Sequence, residues 1–277
     1  MGVENTVPRI MEAKLLSRLK KNLVYGNIVN RDYEGTLKRG GNAILINEVG
    51  PVTMTAYAKN TDITWSQTDT ADKELLVDQA YYFAQSVDRI DNVQSVSALM
   101  EGIVSEATYS AANTIDAFIA TKYSKAGSTV TALTVTVANS MVTLSKMQTK
   151  LLEKNVTGEI FMPIPPWLHQ HLLNAATGAI TATGVPKLYT DGLLVNGYVG
   201  KLYGINLLLS NNVNNNSTIW NTMAFSKSAI SFVQQISDVE YIPSLQDQFG
   251  AGTKALYVYG AKMIRPNAAV KCLMTKG

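Results

Sequence analysis

The chain has 277 residues, a formal charge of +3, and 46% apolar against 16% charged side chains, which excludes an intrinsically disordered polymer because there is enough apolar material for a core and little repulsion to oppose it. A lone cysteine, Cys272, excludes a disulfide scaffold. No apolar run approaches the roughly 18 residues of a membrane span, and Arg9, Lys14, Arg18, Lys20 and Lys21 interrupt every candidate core of a secretory signal, so the expectation is a soluble protein made in the cytosol.

In chain order, Met11, Leu15, Leu19 and Leu23 recur at four-residue steps, with Lys14, Arg18 and Lys21 on another face. The spacing predicts an amphipathic helix over 7–25, with Pro8 in its first turn and Gly26 at its end. Residues 27–41 read as a polar loop. Val52 to Ala58 alternates small or apolar side chains with Thr and Tyr and predicts a strand. A second strand is predicted from Leu75 to Gln85, with Val77, Tyr81 and Phe83 on one face. Between them, Lys59 to Lys73 is polar with Trp65 isolated inside it. The reading is a long two-stranded arm with an irregular tip, and such a ribbon alone is marginal in water.

Residues 91–124 give the clearest helix, through Val96, Leu99, Ile103, Ala107, Ala111, Ile115 and Phe118, with Asp91 as cap. Beyond it come a strand over 128–137, a helix over 139–154 capped by Asn139, a strand from Gly158 to Met162 and a helix started by Pro165-Pro166. Residues 174–191 read as a loop. Leu202 to Leu209, 218–225 and 230–242 read as extended. Leu256–Ile264 and Val270–Met274 are predicted as a closing strand pair around Arg265-Pro266-Asn267, a turn signal.

Charge is segregated along the chain. Residues 1–39 carry 8 basic and 4 acidic groups, residues 60–116 carry 10 acidic groups against Lys73 and Arg89, and residues 117–277 carry 13 basic and 6 acidic groups. If the acidic segment projects from the body, complementary fields would seat it on basic surface of another copy. No Lys/Arg run is dense enough for a nucleic-acid tail.

Chemistry is hard to find. His169 and His171 stand two apart on a predicted helix and do not share a face, and no cysteine cluster completes a zinc set. No Gly-x-Ser-x-Gly elbow occurs. Gly250-Ala251-Gly252-Thr253-Lys254-Ala255 imitates a dinucleotide fingerprint, but a strand follows it where a helix is required, so it reads as a flexible turn. Trp65, Trp167 and Trp220 are too scattered for a stacking platform. Asp88 with Asp91, and Asp69 with Asp72 and Glu74, read as caps or solvated loop residues. No catalytic residue, metal ligand or cofactor site is predicted, and the expectation is a non-enzyme.

The phrases Leu76-Val77-Asp78-Gln79-Ala80-Tyr81-Tyr82-Phe83, Val87-Asp88-Arg89-Ile90-Asp91, Ile115-Asp116, Gly200-Lys201-Leu202-Tyr203-Gly204-Ile205 before Ser210-Asn211, and Tyr259-Gly260-Ala261-Lys262-Met263-Ile264-Arg265-Pro266 stand in an order that resembles the major capsid protein of tailed bacteriophages. The resemblance implies an α+β, Hong Kong 97 phage capsid-like fold. Its parts would be an N-terminal arm (1–35), an extended β-hairpin loop with flanking strands (36–90), a peripheral domain with a long spine helix (91–138), an axial domain (139–235) and closing peripheral strands (236–277). It implies a coat protein that self-assembles into pentamers and hexamers of an icosahedral shell. The shell would enclose double-stranded DNA without sequence-specific binding, in the virion, after assembly in the host bacterial cytoplasm. Scaffolding, portal and decoration proteins are the implied further partners, with no membrane. Candidate interface residues are Met11, Leu15, Leu19, Leu23, Lys59, Trp65, Asp69, Asp72 and Lys73; nothing marks Lys59 or Lys73 as a crosslinking residue. The alternatives are an encapsulin-like nanocompartment shell around a cargo enzyme, and a small soluble enzyme or binding module.

Overall fold

A computed structural model describes residues 21, 23–34, 42–49, 52–60, 62–65, 70–88, 99–178, 198–246 and 249–277. Strands whose side chains are apolar on both faces fix the architecture. In β5 (Ile160–Ile164), Ile160, Met162 and Ile164 face one core and Phe161 the other. In β9 (Ile219–Ser226), Ala224 faces the first core while Met223 and Phe225 face the second. A strand with two apolar faces must be covered on both sides, and the sheet holding β5 and β9 is the middle layer.

That sheet has the order β4-β12-β9-β5-β7-β6, with β8 (Asn214–Asn216) paired to β9. Its other strands are β4 (Ser128–Val135), β6 (Tyr198–Leu202), β7 (Ile205–Leu209) and β12 (Ala269–Lys276). Helices α2 (Ser140–Leu152) and α3 (Pro166–Gly178) cover one face, through Leu144, Met147, Leu151, Leu168 and Leu172. The other face meets α1 (Leu99–Ala120) and a three-stranded sheet of order β10-β11-β3, built from β3 (Gln79–Asp88), β10 (Ile230–Ile242) and β11 (Gly250–Met263). A third, two-stranded sheet pairs β1 (Ala43–Val49) with β2 (Thr70–Leu76) antiparallel, Ala43 opposite Leu76 and Val49 opposite Thr70.

Several expectations are corrected. The ribbon's first strand is 43–49; residues 52–58 carry the alternation of a strand but pair with nothing among the described residues. The predicted strand 75–85 is two strands in two sheets, divided at Val77-Asp78, where the Val77 N–H donates to the Asn42 carbonyl at 2.9 Å. Of the helix predicted over 91–124, Leu99–Ala120 is α-helical and Thr121–Lys125 tightens to a 3-10 turn, while 91–98 lie outside the described residues. The helix predicted over 7–25 also lies mostly outside them. At its end, Tyr25–Asn27 forms a 3-10 turn with Gly26 inside it, where a terminating residue was expected.

Gly250 to Ala255 is no flexible turn but the start of β11, in register with Asp88 through Phe83. Leu256–Ile264 and Val270–Met274 do not pair with each other: β11 bonds β10 and β3, whereas β12 bonds β4 and β9. The Arg265-Pro266-Asn267 turn carries the chain from one sheet to the other. Leu202 to Leu209 is two strands closed by a turn at Tyr203 and Gly204, whose φ values of 50° and 76° suit the tight reversal. Asn139 precedes α2, but its side chain turns back to β4, accepting from the Thr136 N–H at 2.8 Å and donating to the Thr134 carbonyl at 2.9 Å.

Among the described residues, the ribbon is tied to the body through β2. Leu75 is fully buried against Val233, with Tyr33, Ile44, Ile46 and Val77 around them. The chain passes from β2 to β3 directly over Gly260 of β11: a Cβ there would lie 2.9 Å from both the Leu76 carbonyl carbon and Val77 Cα, and nearer still to the Leu76 carbonyl oxygen. Backbone cannot yield as a flexible side chain does. Gly260→Ala is therefore expected to destabilise the protein by about 1–3 kcal/mol, the range for overpacking, and to loosen the ribbon's foot. Chemical denaturation, with amide exchange at Val77, checks both.

Candidate functional site

The loop between β1 and β2 is where the chain breaks the usual rule for apolar side chains. Val52, Met54, Tyr57, Ile63 and Trp65 are 69%, 92%, 74%, 69% and 92% exposed. Lys59 is exposed among them. Apolar side chains exposed singly are ordinary, but contiguous ones mark an interaction surface.

The candidate interface residues are not brought together. Trp65 and Lys59 lie on this loop, and Asp72 is exposed on β2. Lys73, half-buried, turns inward: its ammonium pairs with Glu48 across the ribbon and donates to the Ile264 carbonyl at 2.7 Å, tying the ribbon's foot to the end of β11. The Lys73 ammonium holds the Glu48 carboxyl below its usual range, mainly through the hydrogen bond. Lys262 adds a bond to the Glu74 carbonyl at 2.6 Å. Leu23 is half-buried. Met11, Leu15, Leu19 and Asp69 lie outside the described residues.

A second feature has only a weak sequence signal, the single carboxylate of Asn113-Thr114-Ile115-Asp116-Ala117-Phe118. Asp116 is 2% exposed on α1. Its Oδ1 accepts from the backbone N–H groups of Val24 at 3.0 Å and Gly26 at 3.3 Å, and its Oδ2 accepts from Asn212 Nδ2 at 3.1 Å. Asn212 also donates to Asn113 Oδ1 at 2.8 Å, and its Oδ1 accepts from Lys21 Nζ at 3.1 Å. The Lys21 N–H donates to the Tyr109 hydroxyl at 2.6 Å. One face of α1 thus fixes the path by which the N-terminal segment enters the body, and Val24, Tyr25, Ile28 and Val29 sink into the second core behind it. Burial pushes the Asp116 carboxyl up, against the lowering effect of these hydrogen bonds. Burial, with Asp116 nearby, pushes the Tyr25 phenol up.

Two concavities flank these elements. A groove of about 450 Å³ runs between α1 and the three-stranded sheet, lined by Tyr81, Phe83, Tyr257 and Tyr259 on the sheet and by Glu106 and Ala111 on the helix. A polar cleft of about 520 Å³ at the ribbon's foot gathers Lys73, Lys154 and Arg265 against Glu48, beside Asn155 and Asn267. Three cations to one carboxylate make it a place where acidic surface would be attracted.

The remaining candidates pack. His171 is buried edge-on to Trp167, with centroids 5.4 Å apart, and Trp167 also meets Trp220 at 6.1 Å in the first core. His169 is half-buried and desolvation lowers its pKa. Burial pushes the Cys272 thiol up to about 12. Among the described residues no group of three or more His, Cys, Asp or Glu side chains is placed to hold a metal, and no helix is long and apolar enough to cross a membrane.

A family model described as phage capsid protein matches residues 48–272. No curated protein matches the chain. Among solved structures, the chain is similar to one titled Mycobacterium phage Che8, at 27% identity and TM-score 0.80, covering 98% of each chain. It is also similar to the capsid of cyanophage P-SCSP1u, at 14% identity and TM-score 0.80, covering 100% of this chain and 95% of that one. A third is the mature capsid of bacteriophage PhiM1, at 13% identity and TM-score 0.72, covering 96% and 91%.

Removing the Asp116 carboxylate leaves two backbone donors near Val24 without an acceptor. Asp116→Ala is expected to cost about 1–3 kcal/mol of stability and to speed amide exchange at Val24 and Gly26, read by mass spectrometry. The pH dependence has a definite sign. Because the folded carboxyl titrates above its ordinary value, the folded state keeps a proton that the unfolded state releases in the window between the two values. The stability contributed by this group is therefore greatest below the ordinary value, near 3.8, and falls as pH rises through that window. Asp116→Ala removes this component, so the difference between wild-type and variant melting curves should vary with pH there.

Proposed function

This chain belongs to the phage capsid protein family, and from that premise we propose that it builds an icosahedral shell of pentamers and hexamers around double-stranded DNA. It is a major capsid protein with an α+β fold of the Hong Kong 97 kind. In the proposed arrangement residues 139–235 form an axial domain around the capsomer centre, and residues 91–138 and 236–277 form the peripheral domain. The helix Leu99–Ala120 is its spine, residues 1–35 an arm and 36–90 the extended loop. The role is structural and not catalytic. Scaffolding, portal and decoration proteins are the proposed partners. DNA would be held by confinement, without base readout. Assembly would take place in the bacterial cytoplasm and the product would be the virion head.

The observation that carries this reading is the loop of residues 52–65, whose large apolar side chains stand in solvent far from either core. Surface of this kind is stabilised when another copy covers it. Lys73, Leu75 and Gly260 hold the ribbon's foot to the body, so the loop is presented outward. The Lys154 and Arg265 side of the polar cleft, beside the Lys73–Glu48 pair, supports the pairing of acidic surface of residues 60–116 with basic body. The similar structures cited are phage heads or bear phage names, which supports a DNA-filled head over a nanocompartment of the same fold.

Electron microscopy of the full chain expressed in bacteria, with a scaffold partner supplied if needed, tests the reading. Closed shells or tubes are expected from the wild type. Replacing residues 52–65 by a short Gly/Ser linker should leave soluble protein with unchanged circular dichroism and no shells. A wild type that stays monomeric under both conditions, or shells formed without the loop, would sink it.

A further inference from the structure

Helix α2 presents to solvent a row of side chains that its own chain leaves unanswered. Val142, Lys146 and Lys150 follow at four-residue steps, about 6 Å apart along the helix. Val142 is 51% exposed, Lys146 is exposed and Lys150 is half-buried. Like charges four residues apart repel, and among the described residues neither lysine forms an ion pair. The row is one wall of a trough of about 420 Å³. Thr129, Val130 and Thr131 of β4 supply the other wall, and Glu153 stands past Lys150 at one end. β4 is the end strand of its sheet, paired only to β12. It has neither the lysine nor the proline that commonly guards such an edge. A bulge sets Thr131 and Ala132 against Leu273, so the regular part of the free edge is residues 128–130.

Resting on the shell reading, we propose that this trough seats an extended acidic segment of a separate protein that attaches to the shell. A strand repeats one face every two residues, about 6.6 Å, close to the four-residue step of the helix. Alternate residues of such a segment therefore meet Val142, Lys146 and Lys150 in turn, which asks for the order apolar-x-acidic-x-acidic. Its backbone meets the free edge of β4 at residues 128–130. Main-chain bonds supply affinity in this mode, and the alternate side chains supply register. A nucleic acid fits poorly: its phosphates would run on into Glu153, and its backbone has no apolar group for Val142 and no ladder for β4. This chain carries the order twice, and both places are engaged within their own sheets. In Ile236-Ser237-Asp238-Val239-Glu240, β10 is paired along β11 and Glu240 meets Lys254 Nζ at 2.9 Å. In Asp72-Lys73-Glu74-Leu75-Leu76 the order is reversed, and β2 has β1 on one edge and the Lys262 ammonium on its Glu74 carbonyl. The occupant is therefore another protein.

The test uses the full chain, unassembled and as shells, with labelled synthetic peptides read by fluorescence anisotropy at low salt. Leu-Thr-Glu-Thr-Glu-Thr-Lys carries the required order, with a cation toward Glu153. Leu-Glu-Thr-Glu-Thr-Thr-Lys has the same composition with both carboxylates on the wrong face. The first is expected to bind about tenfold more tightly, from two exposed ion pairs. Lys146→Glu with Lys150→Glu should abolish that preference and leave circular dichroism unchanged. The charge-swapped peptide Leu-Thr-Lys-Thr-Lys-Thr-Lys should then bind the double variant about as the first binds the wild type. Equal binding of the two acidic peptides, no rescue by the swapped peptide, or tighter binding of a short DNA duplex that the double variant abolishes would overturn the proposal and leave the shell reading standing. So would shells of the chain alone in which both lysines resist acetylation compared with unassembled protein, because a second copy would then cover them. Failure of the wild type to assemble under any condition would overturn the shell reading and, with it, the partner assigned here.

Discussion

The crossing of Leu76-Val77 over Gly260 is the contact on which the rest of the molecule depends. Residues 70–88 are nearly continuous strand, yet they serve two sheets. β2 completes the ribbon and β3 edges the sheet that packs under α1. A side chain on residue 260 would separate the two, and the break at Val77-Asp78 lets the ribbon leave the body at a fixed point. From that point the Glu48–Lys73 pair, the Lys73 bond to Ile264 and the burial of Leu75 make the ribbon's foot part of the core. At its far end, among the described residues, Met54 and Trp65 stand in solvent. The geometry produces a projection that is rigid where it starts and uncovered where it ends.

The same logic governs the entry of the N-terminal segment. A buried carboxylate is costly unless its lone pairs are used, and Asp116 uses them on backbone donors of residues 24 and 26 and on Asn212. These partners lie about 90 positions away on either side in sequence. The node joins the segment before the ribbon, the long helix and the turn after β7. It therefore fixes the path of the chain from Lys21 to Gly26 along α1 without any apolar contribution of its own.

Much of this was legible in the sequence wherever periodicity is strong. The helices at Ser140–Leu152 and Pro166–Gly178 and the strands at 128–135 and 160–164 follow from their patterns. The order of motifs pointed to the family. The errors share one cause. Alternation reports that a segment can be a strand, not which strand it joins: Val52 to Ala58 has the pattern without a partner among the described residues, Leu75 to Gln85 spans two sheets, and β11 and β12 part company at Arg265. Pairing is decided by tertiary packing, and a two-residue break such as that at Val77-Asp78 leaves little trace in composition. Gly250 to Ala255 misled for a related reason. Its glycines permit close packing under Leu245, 3.1 Å from where a Cβ on Gly252 would stand, and small buried residues in a strand look like a turn when read alone. Asp116 entered only within the Ile115-Asp116 phrase of the resemblance, and its partners are too distant in sequence for spacing to find them.

In the proposed shell the exposed loop also sets the energy scale of assembly. Covering a large apolar side chain contributes about 1.5–3 kcal/mol, so the five side chains of the loop offer roughly 8–15 kcal/mol if fully covered. Association itself costs on the order of 4–15 kcal/mol in lost freedom, before any ordering of the loop. A single clasp between two copies is therefore close to break-even. In a ring each added copy brings further contacts without the full entropic cost of a new encounter, because its neighbours already hold it in place. Weak individual clasps let a misplaced subunit leave, and closure by symmetry makes the completed ring persist. A loop packed tightly onto its own body would lose this property, since its apolar side chains would already be covered and no contact would remain to be gained from a neighbour.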